Sequence, residues 1–430
     1  MFDALRWYAN PSAYLDEVLA RGVLTFRIQL PGFGACLVTG EPALLADIER
    51  NKDLIGGRGT TALRPVVGDA SLIVLEGARH TLHRQVFAPP FFSADGASAI
   101  APTLSWTTRA LDAVQPGQII SGVDFVASIT LNVIVETLFG ELPAGRHATL
   151  VRLLGTWMQS FDRPLVLFMK ALHIDLGPRS PWGRFKRNRR AVEMFIREEI
   201  ALRREHAGAG ILGHALSAIR SGAAISDDEL VSEVITFLLF GHDTSAAAMG
   251  WVFYHVTRTS QVRERIAAEW AACDDQQAAQ SAIRALPYTL AVVREAMRLS
   301  PVVVHLTRHA LRATRVGVHD IREGERVLPC AYLAQRNPAV FDAPGEFRPE
   351  RFLESRSPQQ AHFPNFPYFP FGAGSRLCAG MPYALQQMVC ILGLIASRFD
   401  FSAADSQHKP QRRMVLIVPS GGPRLRLTPL

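Results

Sequence analysis

Apolar residues fall on nearly every side of the segment SDDELVSEVITFLLFGHDTSAAAMGWVFYHV, Ser226 to Val256, with the polar tetrad Gly241-His242-Asp243-Thr244 in the middle of the run. The pattern predicts a long helix, and its apolar flanks make that middle an expensive place for a carboxylate and a hydroxyl. Three shorter helical patterns are EGARHTLHRQVFAPPF from Glu76, LPYTLAVVREAMRLSPVVV from Leu286, and MPYALQQMVCILGLIA from Met381, the last with Pro382 in a tolerated first-turn position. Alternating segments are few. VLTFRIQL and ACLVTG around Pro31-Gly32-Phe33-Gly34 predict a strand hairpin; a second pair is expected around Asp320 to Gly324, and a third from RRMVLIV and PRLRLTPL on either side of Ser420-Gly421-Gly422. The fold class expected is mainly α with a small β region.

A chain of 430 residues, 48% of them hydrophobic, can bury a large core. No linker, low-complexity tract or repeat divides it, so one large domain over residues 1–430 is expected. Cys36, Cys273, Cys330, Cys378 and Cys390 are scattered and odd in number, which argues against a disulfide framework and for a reducing compartment. The opening MFDALRWYANPSAYLDEVLARG interleaves charge with apolar residues, and the longest apolar run, Met388 to Ala396, is too short to cross a bilayer. These features predict a soluble, cytoplasmic protein without a membrane anchor, expected to be a monomer. The net charge of +7 reflects 46 basic against 39 acidic residues. Its tightest cluster, Arg184, Lys186, Arg187, Arg189 and Arg190, reads as a solvated helix start; without interleaved aromatics it does not predict nucleic-acid binding. A basic surface also suits an acidic electron-transfer partner.

Candidate chemistry concentrates in FPFGAGSRLCAG, Phe369 to Gly380, where Cys378 stands in a glycine-rich turn before the Met381 helix. Gly372, Gly374 and Gly380 allow backbone conformations and close approaches that a Cβ forbids. Backbone N–H groups at the helix start would favour an ionised Cys378 sulfur. A free cysteine is often only a small buried hydrophobe. Here, however, Phe371, Gly374, Arg376, Cys378 and Gly380 compose the pattern Phe-x-x-Gly-x-Arg-x-Cys-x-Gly, which resembles the haem-binding loop of the cytochrome P450 family. A zinc or iron–sulfur site is disfavoured, because no Cys-x-x-Cys pair exists.

Other motifs extend the resemblance in the family's order. His80 and Arg84, four residues apart on one helix face, resemble the His-x-x-x-Arg pair that holds the haem propionates; Arg376 and Arg308 match the other propionate-contacting positions. A threonine inside a helix can bond back to the carbonyl four residues earlier, here that of Phe240. Asp243 and Thr244 match the family's acid–alcohol pair, which relays protons for oxygen activation. Phe240 stands where the family carries a small residue, so its ring is expected to narrow the pocket; His242 falls at a variable position and is read as structural or solvent-facing. Glu295 and Arg298, one helical turn apart, resemble with Arg351 of GEFRPERF the family's structural Glu–Arg–Arg cluster. Pocket walls are expected from Thr236, Leu239, Phe240 and the run Val302-Val303-Val304.

The resemblance implies the cytochrome P450 fold, one haem b ligated by Cys378, and a bacterial-type monooxygenase that hydroxylates a hydrophobic small molecule such as a terpenoid, steroid, fatty acid or polyketide. Electrons would come from a ferredoxin or flavodoxin with its reductase, since the chain shows no flavin or nicotinamide fingerprint. A peroxide-driven, desaturating, coupling or rearranging haem-thiolate enzyme stands as one alternative, and a non-catalytic haem sensor as another.

Overall fold

The computed structural model describes residues 2–92, 98–160, 173–205, 208–273, 281–353, 368–405 and 408–430. Five helices frame the region of interest: α1 (Gly77–Phe87), α2 (Gly122–Phe139), α3 (Asp227–Val256), α4 (Pro287–Leu299) and α5 (Met381–Arg398). Helix α3 starts at a capping box, in which Ser226 Oγ accepts from Glu229 N while the Glu229 carboxylate accepts from Ser226 N at 2.8 Å. Asp227, Asp228 and Glu229 in its first turn also complement the helix dipole. Twenty of its 30 residues are buried, as the apolar pattern requires.

Helix α2 lies along α3 at close range. A Cβ on Gly241 would come within 2.7 Å of Ile134 Cδ1, so glycine is needed there for helix–helix contact. Among the described residues α2 alone is long and apolar enough to cross a membrane. Its interspersed Asp124, Asn132 and Glu136 hid it from a search for unbroken apolar runs. Twelve of its 18 residues are buried within the core, which is the behaviour of an internal helix. Helix α5 is tied to α2 by a 2.9 Å hydrogen bond between Tyr383 and Thr137 hydroxyls.

The strands are short: β1 (Thr25–Leu30), β2 (Gly34–Thr39), β3 (Leu54–Ile55), β4 (Ile119–Ser121), β5 (Arg308–Ala310), β6 (Thr314–Val316), β7 (His319–Ile321), β8 (Arg326–Pro329), β9 (Phe399–Ala403), β10 (Pro410–Arg413), β11 (Leu416–Pro419) and β12 (Arg424–Pro429). The largest sheet has the order β1-β2-β8-β5-β3, with β2 and β8 parallel. The first hairpin forms as the sequence predicts, with Leu30 opposite Gly34.

The other two expected pairs do form strands but choose different partners. Strands β7 and β8 flank the turn at Gly324, yet β7 pairs with β6, while β8, buried over Val327 to Pro329, pairs with β2 and β5. The third segment is itself a hairpin: Met414, at φ 52°, turns the chain so that Arg413 faces Leu416, and β12 pairs with β4 and β9. Methionine and valine carry no turn signal, which is why RRMVLIV read as one strand.

Candidate active site

Two backbone hydrogen bonds fold the Phe369–Gly380 loop back on itself, Gly372 N to Phe369 O at 3.0 Å and Cys378 N to Phe371 O at 2.9 Å. Gly374 has φ +58°, and a Cβ there would overlap the Glu49 carboxylate. Gly380 differs from the expectation, since its φ of −94° is open to any residue. The Cys378 side chain is open towards a cavity and walled by protein elsewhere. That enclosure raises its thiol pKa, against the opposing effects of the Gly380 N–H and of Arg84. The expected N–H contact is thus present but outweighed. A metal cation at the sulfur would favour the thiolate.

The cavity measures about 1870 Å³. The cysteine loop contributes Phe371, Gly372, Arg376, Cys378 and Gly380 to its wall, α1 contributes His80 and Arg84, and β5 contributes Arg308. Of the walls that the sequence predicts, Thr236 and Phe240 of α3 and the run Val302-Val303-Val304 are present, and Thr244 joins them. Arg84 Nη1 donates to Leu377 O at 2.6 Å, and Arg376 bonds the Leu72 and Leu75 carbonyls and the Glu76 carboxylate, the last at 2.5 Å. Arg308 reaches Glu49 only at 3.5 Å. Burial, assisted by Arg376 and Arg84, pushes the pKa of His80 down to about 4, so it faces the cavity as a neutral imidazole.

This donor set fits haem. One sulfur and several guanidinium groups surround a chamber large enough for a macrocycle with two carboxylates. No cluster of three His, Cys, Asp or Glu side chains able to hold a bare ion occurs among the described residues. A metal reaching Cys378 must therefore arrive in another ligand frame.

Within α3, Thr244 Oγ1 donates to Phe240 O at 2.7 Å, the back-bond that the sequence suggests. One expectation, that for Leu239, needs correction, and Asp243 and His242 each take a partner that the motif does not show. Asp243 does not line the cavity; its half-buried carboxylate pairs with Arg413 of β10. Leu239 likewise turns into the core, and Phe237 takes a place on the wall instead. His242 is buried, with Nδ1 2.8 Å from Leu238 O and its pKa pushed down to about 4 by burial, which rules out the solvent-facing alternative.

The Glu295 cluster closes completely. Arg298 Nε donates to Glu295 Oε2 at 2.8 Å, and Arg298 Nη2 and Arg351 Nε donate to Oε1 at 2.9 and 3.0 Å. All three residues are at most 1% exposed. Arg298 also donates to the carbonyls of Gln335, Pro344 and Glu346. Gln335 returns two bonds to the end of α4 and accepts from Phe369 N at 3.1 Å, tying the cluster to the cysteine loop. Sequence reasoning missed Gln335, which has no motif spacing to reveal it. The β10–β11 hairpin was missed as cavity wall for the same reason, although Gln411, Arg412, Val415 and Ile417 all line it.

A loop-borne thiol, cavity-facing cations and an internal helical threonine together mark a haem-dependent oxidoreductase. Residues 53–426 match the family model for Cytochrome P450, and the chain belongs to that family of haem monooxygenases. Its relatives include the protein designated cytochrome P450 137 of Mycobacterium tuberculosis, 27% identical over 91% of this chain and 82% of the relative. The protein designated cytochrome P450 138 of Mycobacterium bovis is 26% identical over 99% of this chain and 93% of its own length. The fold is that of the cytochrome P450DA heme domain, with a TM-score of 0.83 over 99% of this chain and 95% of that one at 23% identity.

Proposed function

We propose that this protein is a haem-thiolate monooxygenase that oxidises a hydrophobic small molecule with electrons from a separate ferredoxin or flavodoxin and its reductase. The observation that carries the reading is the Cys378 thiol opening onto the same cavity as Thr244. Cys378 would hold the haem iron, and His80, Arg84, Arg308 and Arg376 would hold the propionates by hydrogen bonds and charge. When bound, the haem supplies activation of O₂ by two electrons.

This chain's own residues then govern protons, water and position. The Thr244 hydroxyl donates its hydrogen bond to Phe240 O, which leaves its lone pairs to accept from a water or a protonated group in the cavity. Asp243 lies one residue away with a carboxylate 24% exposed to solvent and paired with Arg413. It would pass protons inward while Thr244 orders them at the cavity. Glu295, Arg298 and Arg351 brace the cysteine loop through Gln335. Val302, Val303 and Val304 offer an apolar wall that excludes water around the substrate.

The test is a titration of the purified protein with terpenoids, steroids, fatty acids and polyketides while recording the Soret band, followed by turnover with a surrogate ferredoxin and reductase. A shift to the high-spin form and an oxygenated product are expected. A purified protein without a thiolate-haem spectrum would overturn the proposal. Phe240 lines this cavity beside Gly241, so Phe240→Ala is expected to broaden the range of ligands that shift the band and to alter product distribution. An unchanged ligand range and product pattern would show that the ring does not restrict access.

A further inference from the structure

Among the described residues, five arginines line the cavity, and four of them have a counterpart accounted for. Arg64 faces Asp69 at 3.6 Å, Arg308 faces Glu49, Arg376 faces Glu76, and Arg84 donates to Leu377 O at 2.6 Å where the proposed function puts a propionate. Arg412 is the exception. Its Nη2 donates to Trp7 O at 3.3 Å, its guanidinium lies 5.9 Å from the Tyr8 ring centre, and its buried Nε has no hydrogen-bond partner. Among the described residues, nearby groups supply no negative charge: the Tyr8 hydroxyl donates to Pro31 O at 2.6 Å, and His305 is kept neutral by burial. Successive strand residues face opposite sides, which is how Arg413 meets Asp243 while Arg412 turns towards the N-terminal segment.

We infer that Arg412 anchors a carboxylate of the substrate, so that the molecule oxidised is an apolar carboxylic acid. The inference rests on the haem-thiolate reading and names the substrate class of that site. Among the described residues no carboxylate faces this half-buried guanidinium beside the apolar chamber, and its planar fork matches a carboxylate through two parallel N–H···O bonds. With the carboxylate held at Arg412, the apolar remainder would lie along Val302, Val415 and Ile417 of the same cavity.

The experiment compares the holoenzyme with its Arg412→Leu and Arg412→Lys variants. Each is titrated by calorimetry and by Soret shift with aliphatic, aromatic and terpenoid carboxylic acids and with the methyl ester of each. The wild type is expected to bind at least one acid roughly tenfold to a hundredfold more tightly than its ester. Arg412→Leu should abolish that preference while leaving ester affinity unchanged, and Arg412→Lys should retain part of it. Equal binding of acid and ester, binding of no acid in the series, or an equal loss for acid and ester in Arg412→Leu would overturn the assignment. Haem content and the thiolate spectrum, measured beforehand, report separately on the proposed function; calorimetric acid preference reports on Arg412.

Discussion

Glu295→Ala is expected to give protein that retains little or no haem and melts far below the wild type. The carboxylate answers two guanidinium groups at 2.8 to 3.0 Å in a site that water does not reach, and Arg298 and Arg351 would be left as uncompensated buried charges. Breaking a buried ionic group by removing one partner costs about 3–5 kcal/mol, which is a large share of the ~5–15 kcal/mol that holds a domain folded. The damage would also reach the cysteine loop, because Arg298 holds the Gln335 carbonyl and Gln335 holds Phe369 N. Glu295→Gln keeps the shape and some hydrogen bonds and should fall between the two. The ratio of haem to protein by absorbance, with thermal melting, reads the result. Full haem content in Glu295→Ala would show that the cluster is dispensable for holding the loop.

Thr244→Ala should separate electron consumption from product formation. The variant loses the hydroxyl that bonds Phe240 O and faces the cavity, but it keeps the apolar wall that binds substrate. Ligand-induced Soret shifts are therefore expected to stay within about twofold of wild type, within ordinary scatter for a change that removes no buried ion pair. Product per electron pair should fall on the order of a hundredfold, the lower end for a positioned proton-transfer group, with hydrogen peroxide appearing in its place. Thr244→Ser restores the hydroxyl and should recover most of the coupling. Unchanged coupling in Thr244→Ala would remove Thr244 from the proton path.

Much of this was legible in the chain because local chemistry fixed it. The loop from Phe369 to Gly380 combines glycines, an arginine and a cysteine at set spacing, and α3 announces itself through 30 residues of apolar pattern with a polar interruption. What escaped was tertiary in origin. Strand partners are chosen by burial across the sheet, so β8 joins β2 and β5 although its neighbour in sequence is β7. A motif names residues along a helix but not their partners from other elements, and so nothing in the segment announces that Arg413 of β10 pairs with Asp243. Gln335 and Arg412 gain their importance only from what lies beside them.

The parallel pairing of β2 with β8 has a consequence for how the chain is made. Cys36 stands opposite Arg326, a separation of 326 − 36 = 290 residues. Ribosomes add about 5–20 residues per second, so the free edge of β2 waits roughly 15 s to a minute for the strand that covers it. Its Cys36, Leu37 and Val38, fully buried in the finished molecule, have no complete shelter during that interval. The first hairpin can close early, yet its sheet is finished late, and nascent chains halted before residue 326 would present an open edge to other chains and to chaperones.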